Sequence, residues 1–348
     1  LKILPIFLSI FALGNFIFSK ISKETKGLEN TLFSFGFGFS SFFLLIFLFS
    51  SFGTWNFYSS LALVVLPIVI FSKKLYGYLK KLFKYKIDAK FKPFSLIVFA
   101  AFASFTVFSL NVVQSVKNIP SGWDDLTHYI LLPKLLAEKG GFFPEFPTHS
   151  FGLLTSMGYT LFNNGAVTIF MSFVVGILAM FAVYKILTRF IPGKESLLLT
   201  LFFYCLPMVF FQSSAELKID MPLLFFGALS ILAYFKYLDK NSNKWLFVCA
   251  LIAGIAFGVK YTAVLLIFSL LILLSYKHLK AIGAFAMGLL SLGLIIVSGN
   301  ATSFHYFNNS VLQYIGMGLL VFGALLFIYQ AFKSRCGLKP VLIFALIV

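Results

Sequence analysis

Phe94-Ser-Leu-Ile-Val-Phe-Ala-Ala-Phe-Ala-Ser-Phe-Thr-Val-Phe-Ser-Leu-Asn111 contains no charged residue. As a helix, a run of this length approaches the roughly 20 apolar residues needed to cross a bilayer. It does not alternate with period two, as a strand of a transmembrane barrel would. Similar runs recur along the 348 residues, of which 60% are hydrophobic and only 11% charged, with a mean hydropathy of +0.98. A soluble domain carries about 25% charged residues. The chain therefore reads as an all-α polytopic membrane protein. Twelve apolar runs divide it, at about 1–19, 31–50, 57–72, 94–113, 165–188, 196–211 and 221–237, then two sharing 245–276, 279–298, 311–332, and one from Pro340. That makes about 11–12 transmembrane helices, with a long polar loop from Gln114 to about Asn164.

The net charge of +17 would suggest nucleic acid in a soluble protein, but here the lysines fall between spans. With the Lys73–Lys92 linker on the cytoplasmic side, the loops assigned inside are 20–30, 73–92, 185–195, 236–244, 277–280 and 333–339. They hold 22 of the 28 basic residues. The positive-inside rule accounts for this asymmetry without a nucleic-acid partner. The same alternation puts the 114–164 loop, the 212–220 turn and the Lys260 turn on the extracytoplasmic side. The expected location is the cytoplasmic (inner) membrane, multi-pass.

The chain opens on Leu1 and stops inside the apolar run Leu342–Val348, so a longer chain is expected. The first run has no small-residue cleavage pattern and reads as a span, not a removed signal. Cys205, Cys249 and Cys336 form no disulfide or zinc spacing.

The polar loop holds Ser121-Gly-Trp-Asp-Asp-Leu-Thr-His-Tyr129, with two adjacent carboxylates. One of Asp124 and Asp125 can cap a helix starting near Leu126, which leaves the other over. Either could instead act as a general base or bind a metal. His128 lies one turn on from Asp124, as a surface residue or a ligand. From Leu126 to Glu138 the apolar spacing suits a helix lying on the membrane surface, kinked by Pro133. Such a loop would suit a lipid-linked substrate.

Two further polar points lie on the same side. In Glu216-Leu-Lys-Ile-Asp220, alternate residues Glu216, Lys218 and Asp220 share one side if the turn is extended. They form a solvated rim with an N-cap at Asp220, or a site. Lys260-Tyr261 interrupts an apolar run, so Lys260 either snorkels to the interface or binds a phosphate. No nucleotide loop or zinc motif is present.

Trp123-Asp-Asp-Leu-Thr-His-Tyr-Ile-Leu-Leu-Pro-Lys134, Glu216-Leu-Lys-Ile-Asp-Met-Pro-Leu-Leu-Phe225 and Trp245-Leu-Phe-Val-Cys-Ala-Leu-Ile-Ala-Gly-Ile-Ala-Phe-Gly-Val-Lys-Tyr-Thr262, in this order, resemble the GT-C superfamily of integral-membrane glycosyltransferases. The likeness is to the bacterial branch that includes protein mannosyltransferases and the lipid A aminoarabinose transferase, and it covers roughly 94–276. The resemblance implies inverting transfer from a polyprenyl-phosphate sugar donor, with the active site on the extracytoplasmic face. It places the catalytic aspartate at Asp124, or Asp125 in the alternative register, with His128 or Tyr129 as the aromatic position after it. Here three spans precede the motif-bearing span, which the family usually has first.

With that resemblance, Lys218 and Lys260 are the outer-face cations for the lipid phosphate. Glu216 and Asp220 would orient the acceptor or hold a divalent metal ion; no other cofactor is called for. Tyr261 completes the candidate substrate-binding set. The expected organisation is a three-helix segment with its basic linker (1–93), a catalytic membrane module (94–276) and C-terminal helices (277–348). Expected partners are the sugar donor, membrane lipid and a glycan, lipid or protein acceptor. A polyprenyl-linked glycan polymerase or ligase is the alternative, and a transporter a second one, disfavoured because the charges sit at span ends.

Overall fold

The computed structural model describes residues 2–22, 24–83, 96–117, 125–143, 150–215, 217–301, 310–334 and 338–348. Among these residues every regular element is helical. The chain divides into two compact units, Leu1–Leu232 with Gly258–Lys260, and Ala233–Phe257 with Tyr261–Val348.

The first unit is built on α1 (Leu4–Ile21) and α2 (Gly27–Ser51), an antiparallel pair in very close contact. Glycines make the approach possible. A methyl group on Gly14 would run into Ser34 O and Gly38, and one on Gly38 into the carbonyl of Ile10. In a membrane, where lipid is as apolar as leucine, such small-residue contacts drive helix association. The abundant phenylalanines fill the remaining space. Phe39 of α2 meets Phe7 at 6.0 Å and Phe225 at 5.9 Å, ring edge to ring face. Asn30 Nδ2 donates to Asn15 Oδ1 at 3.3 Å, so two amides between α1 and α2 satisfy each other.

Next come α3 (Phe57–Ile70), capped by the Asn56 side chain, α4 (Ser72–Phe83) and α5 (Leu96–Ser115). After the loop motif come a π turn (Asp125–Ile130), α6 (Leu131–Lys139) and α7 (Ser150–Phe162). Then follow α8 (Gly165–Leu187), α9 (Gly193–Tyr204), α10 (Pro207–Phe210), a second π turn (Phe211–Ala215) and α11 (Asp220–Lys240). The helix α7 departs from the expectation of a polar loop up to Asn164. Its 13 residues are too few to span a bilayer, yet Phe151, Leu153, Leu154 and Met157 are buried against neighbouring helices. Serine, threonine and glycine dilute its hydropathy, and tertiary packing makes it a core element.

The loop is fastened to the α2–α3 turn. Trp55 N donates to Gly140 O (2.9 Å) and Phe142 N to Ser50 O (3.3 Å). Gly140, at φ +72°, closes α6 in a left-handed conformation that favours glycine. The fully buried Trp55 indole donates to Ser156 Oγ at 3.0 Å, which joins α7 to the same turn. Lys2, Ser115 and Asn164 line one cavity at this end of the unit. At the far end of α1 and α2, Phe16 stacks on Phe71 and Lys74 lies over the Phe16 ring.

The second unit holds the end of α11, most of α12 (Asn243–Val259), and α13 (Val264–Ala301), α14 (Ser310–Lys333) and α15 (Leu338–Ile347). Lys280, with φ +60° and ψ −165°, breaks α13 where two spans were expected to meet. Among the described residues, seven helices are long and apolar enough to cross a membrane, or nine if two bent pairs each count as one span; α12 and α15 are shorter apolar helices. With the Lys280 break, the apolar runs other than 196–211 each fall on one helix, and the protein is an all-α polytopic membrane protein. One bent pair turns by 74° between Tyr204 and Pro207, inside what read as a single span. Pro207 opens the second arm, at a helix start where its missing N–H costs nothing.

Candidate functional site

Of the three motif stretches, the first contains a π turn and the second follows one. The first turn, Asp125–Ile130, stands directly before α6, where Pro133 would otherwise interrupt a regular hydrogen-bond ladder. The second turn, Phe211–Ala215, packs against α5 and α8 and leads into the segment ending at Asp220. π turns are rare and concentrate at functional sites.

Asp124 and Glu216 lie outside the described residues, and of Asp125 only the backbone is described, as the first residue of the π turn. His128 is exposed, with Nδ1 sharing a 2.7 Å hydrogen bond with Thr127 Oγ1. Tyr129 is half-buried beside it. On the following helix the buried face is Leu132, Pro133 and Leu136, while Leu126 and Leu131 are exposed.

From Leu217 onward burial alternates. Leu217, Ile219 and Met221 are buried, and Lys218 and Asp220 between them are half-buried. Asp220 is the first residue of α11, where a carboxylate is favoured by the partial positive charge of the helix end. Its Oδ1 accepts from Lys260 Nζ at 2.6 Å. The side chains are 29% and 26% exposed, so solvent screens this pair less than a surface pair. Lys260 follows the last residue of α12, in the break that read as Gly258-Val-Lys-Tyr261, and Tyr261 after it is exposed. Two residues 40 positions apart, each with its own bland explanation in the sequence, thus form one charged pair.

Ser150 is an addition that the sequence did not single out, and Gly258 read only as the start of the break at Lys260. A Cβ on Gly258 would lie 2.9 Å from Ser150 Oγ, so the start of α7 abuts the end of α12, two residues from Lys260. The only signal was a glycine just before the lysine that ends the run. Among the described residues no three His, Cys, Asp or Glu side chains gather as a metal site.

A multi-span helical chain with a carboxylate–ammonium pair at one span end is consistent with a membrane glycosyltransferase of the GT-C superfamily. Residues 150–301 match the family model of dolichyl-phosphate-mannose-protein mannosyltransferase. No curated protein and no solved structure matches the chain. The matched segment begins at Ser150 and contains Asp220 and Lys260; the Asp124–Asp125 stretch precedes it. The chain resembles this family there, and the protein is a multi-pass membrane protein of glycosyltransferase type.

Proposed function

We propose that this protein transfers a sugar from a polyprenyl-phosphate donor to a hydroxyl acceptor at the extracytoplasmic face of the inner membrane. The observation that carries the reading is the Asp220–Lys260 pair inside the segment matching the mannosyltransferase family. The catalytic module is residues 94–276, flanked by 1–93 and 277–348.

The chemistry follows from charge. Asp124, or Asp125 in the other register, takes the proton from the acceptor hydroxyl. The acceptor oxygen forms a bond to the anomeric carbon from the face opposite the lipid phosphate, and the carbon–oxygen bond to that phosphate breaks. Configuration inverts, and the phosphate leaves with the electron pair. Lys260, held in place by Asp220, neutralises the charge that develops there, with Lys218 as a second cation. His128, Tyr129, Glu216 and Tyr261 border the donor and acceptor. An apolar cavity of about 360 Å³ between α5, α8 and α9, walled by Phe105, Phe108, Met180 and Phe181, is of a size and character to hold isoprenoid units. The acceptor is a glycan, lipid or protein.

Two experiments bear on this. Lys260→Ala removes a charge-assisted contact to the phosphate and leaves the base, so donor affinity should fall about tenfold or more. Donor titration of the initial rate reads this, and an unchanged KM would remove Lys260 from the donor site. Cysteines placed at Ser121 and Ser72 should react with an impermeant thiol reagent from opposite sides of the membrane, Ser121 from outside. Labelling from one side alone would overturn the orientation.

A further inference from the structure

We propose a second site, in the second unit, that binds the phosphate group of an anionic membrane lipid; it stands apart from the glycosyl-transfer reading. The site is a cavity of about 420 Å³ at the break in α13, walled by His278, Lys280, Gln330, Lys333 and Ser334. Its volume falls in the range of small-ligand pockets.

Three observations converge. The first is an excess of positive charge. Asp239 is the last acid in the sequence, whereas Lys240, Lys244, Lys260, Lys277, Lys280, Lys333, Arg335 and Lys339 follow it. Lys277 is engaged, 4.1 Å from the centre of the Tyr237 ring and 3.2 Å from Asn241 Oδ1. Lys280 and Lys333 line the cavity, Lys333 with its ammonium 6.0 Å from the centre of the Tyr329 ring, in a stretch of chain that supplies no carboxylate for them.

The second is strain. Lys280 holds φ +60° with extended ψ, a region that favours glycine. A turn between two spans could use glycine at this point at no cost. A lysine there keeps an ammonium at the mouth of the cavity.

The third is construction. Gln330, 7% exposed, donates from Nε2 to Leu279 O at 2.8 Å and so pins the backbone beside the break. On the other flank His278 Nε2 shares a 2.6 Å hydrogen bond with Tyr237 Oη.

Two ammonium groups around one cavity suit a phosphate. The position selects its source. The cavity lies at the lysine-rich turn between two spans, where anionic headgroups concentrate and basic pockets between helices bind them.

The test uses the purified full chain in detergent, with thermal unfolding followed on adding phosphatidylglycerol, phosphatidylcholine or inorganic phosphate. Phosphatidylglycerol should raise the midpoint by several degrees, and the other two should not. Lys280→Gly combined with Lys333→Gln should lose that shift, with its own midpoint no lower than the parent's because glycine relieves the strain. If the double variant does not fold, Lys333→Gln alone should retain phosphatidylglycerol about tenfold less well in native mass spectrometry. An equal shift from phosphatidylcholine, a full shift from inorganic phosphate alone, or undiminished phosphatidylglycerol binding by the variants would overturn the proposal.

Discussion

Asp124→Asn is expected to lower sugar transfer by about 10²–10⁴-fold while the protein still inserts and retains its lipid donor. Asparagine matches aspartate in size and caps a helix about as well, so an aspartate that only caps tolerates the change. An amide has no useful proton affinity, so a base does not. Asp125→Asn is the control for register. If Asp125→Asn abolishes transfer and Asp124→Asn does not, the base is Asp125 and the site stands. Near-normal transfer by both single variants and by the double variant would mean that the paired carboxylates only cap and solvate the loop.

Gly38→Val should destabilise the first unit by about 3 kcal/mol, the upper end of what overpacking usually costs. The new side chain would meet the Ile10 carbonyl, which is backbone and cannot rotate away. Separating α1 from α2 also pulls Phe7 from Phe39 and parts the Asn15–Asn30 amides. The effect is read as a lower unfolding midpoint in detergent. Gly77→Val, at a position with open space around it, is the control and should leave the midpoint nearly unchanged. Equal midpoints for Gly38→Val and Gly77→Val would contradict close α1–α2 packing.

The span pattern was legible because bilayer thickness imposes a length and lysine placement imposes an alternation. Each constraint acts locally, and apolar runs such as 94–113 report it directly. Elements outside those constraints stayed hidden. The helix α7 is short, and its serines, threonines and glycines average into a polar loop, although Phe151 and Leu154 are core residues. The 74° bend after Tyr204 comes from a proline that hydropathy does not register. The strained backbone at Lys280 leaves no compositional trace.

The candidate site was legible only as separate points. Asp220 read as a cap or site residue and Lys260 as a snorkelling or phosphate-binding lysine, because no pattern relates positions 40 residues apart. The fold brings them to 2.6 Å. Ser150 beside Gly258 and the Trp55–Ser156 hydrogen bond, which spans 101 positions, are likewise tertiary facts.

The central claim is transfer from a polyprenyl-phosphate donor. Proteoliposomes holding the parent chain or the Asp124→Asn/Asp125→Asn double variant are given polyprenyl-phosphate sugars extracted from membranes, together with an acceptor extract, and released polyprenyl phosphate is measured by mass spectrometry. The released lipid is the same whichever sugar the donor carries. The parent chain should release polyprenyl phosphate with time and the double variant should stay at the level of empty vesicles. Release by the parent no greater than by empty vesicles would contradict the account.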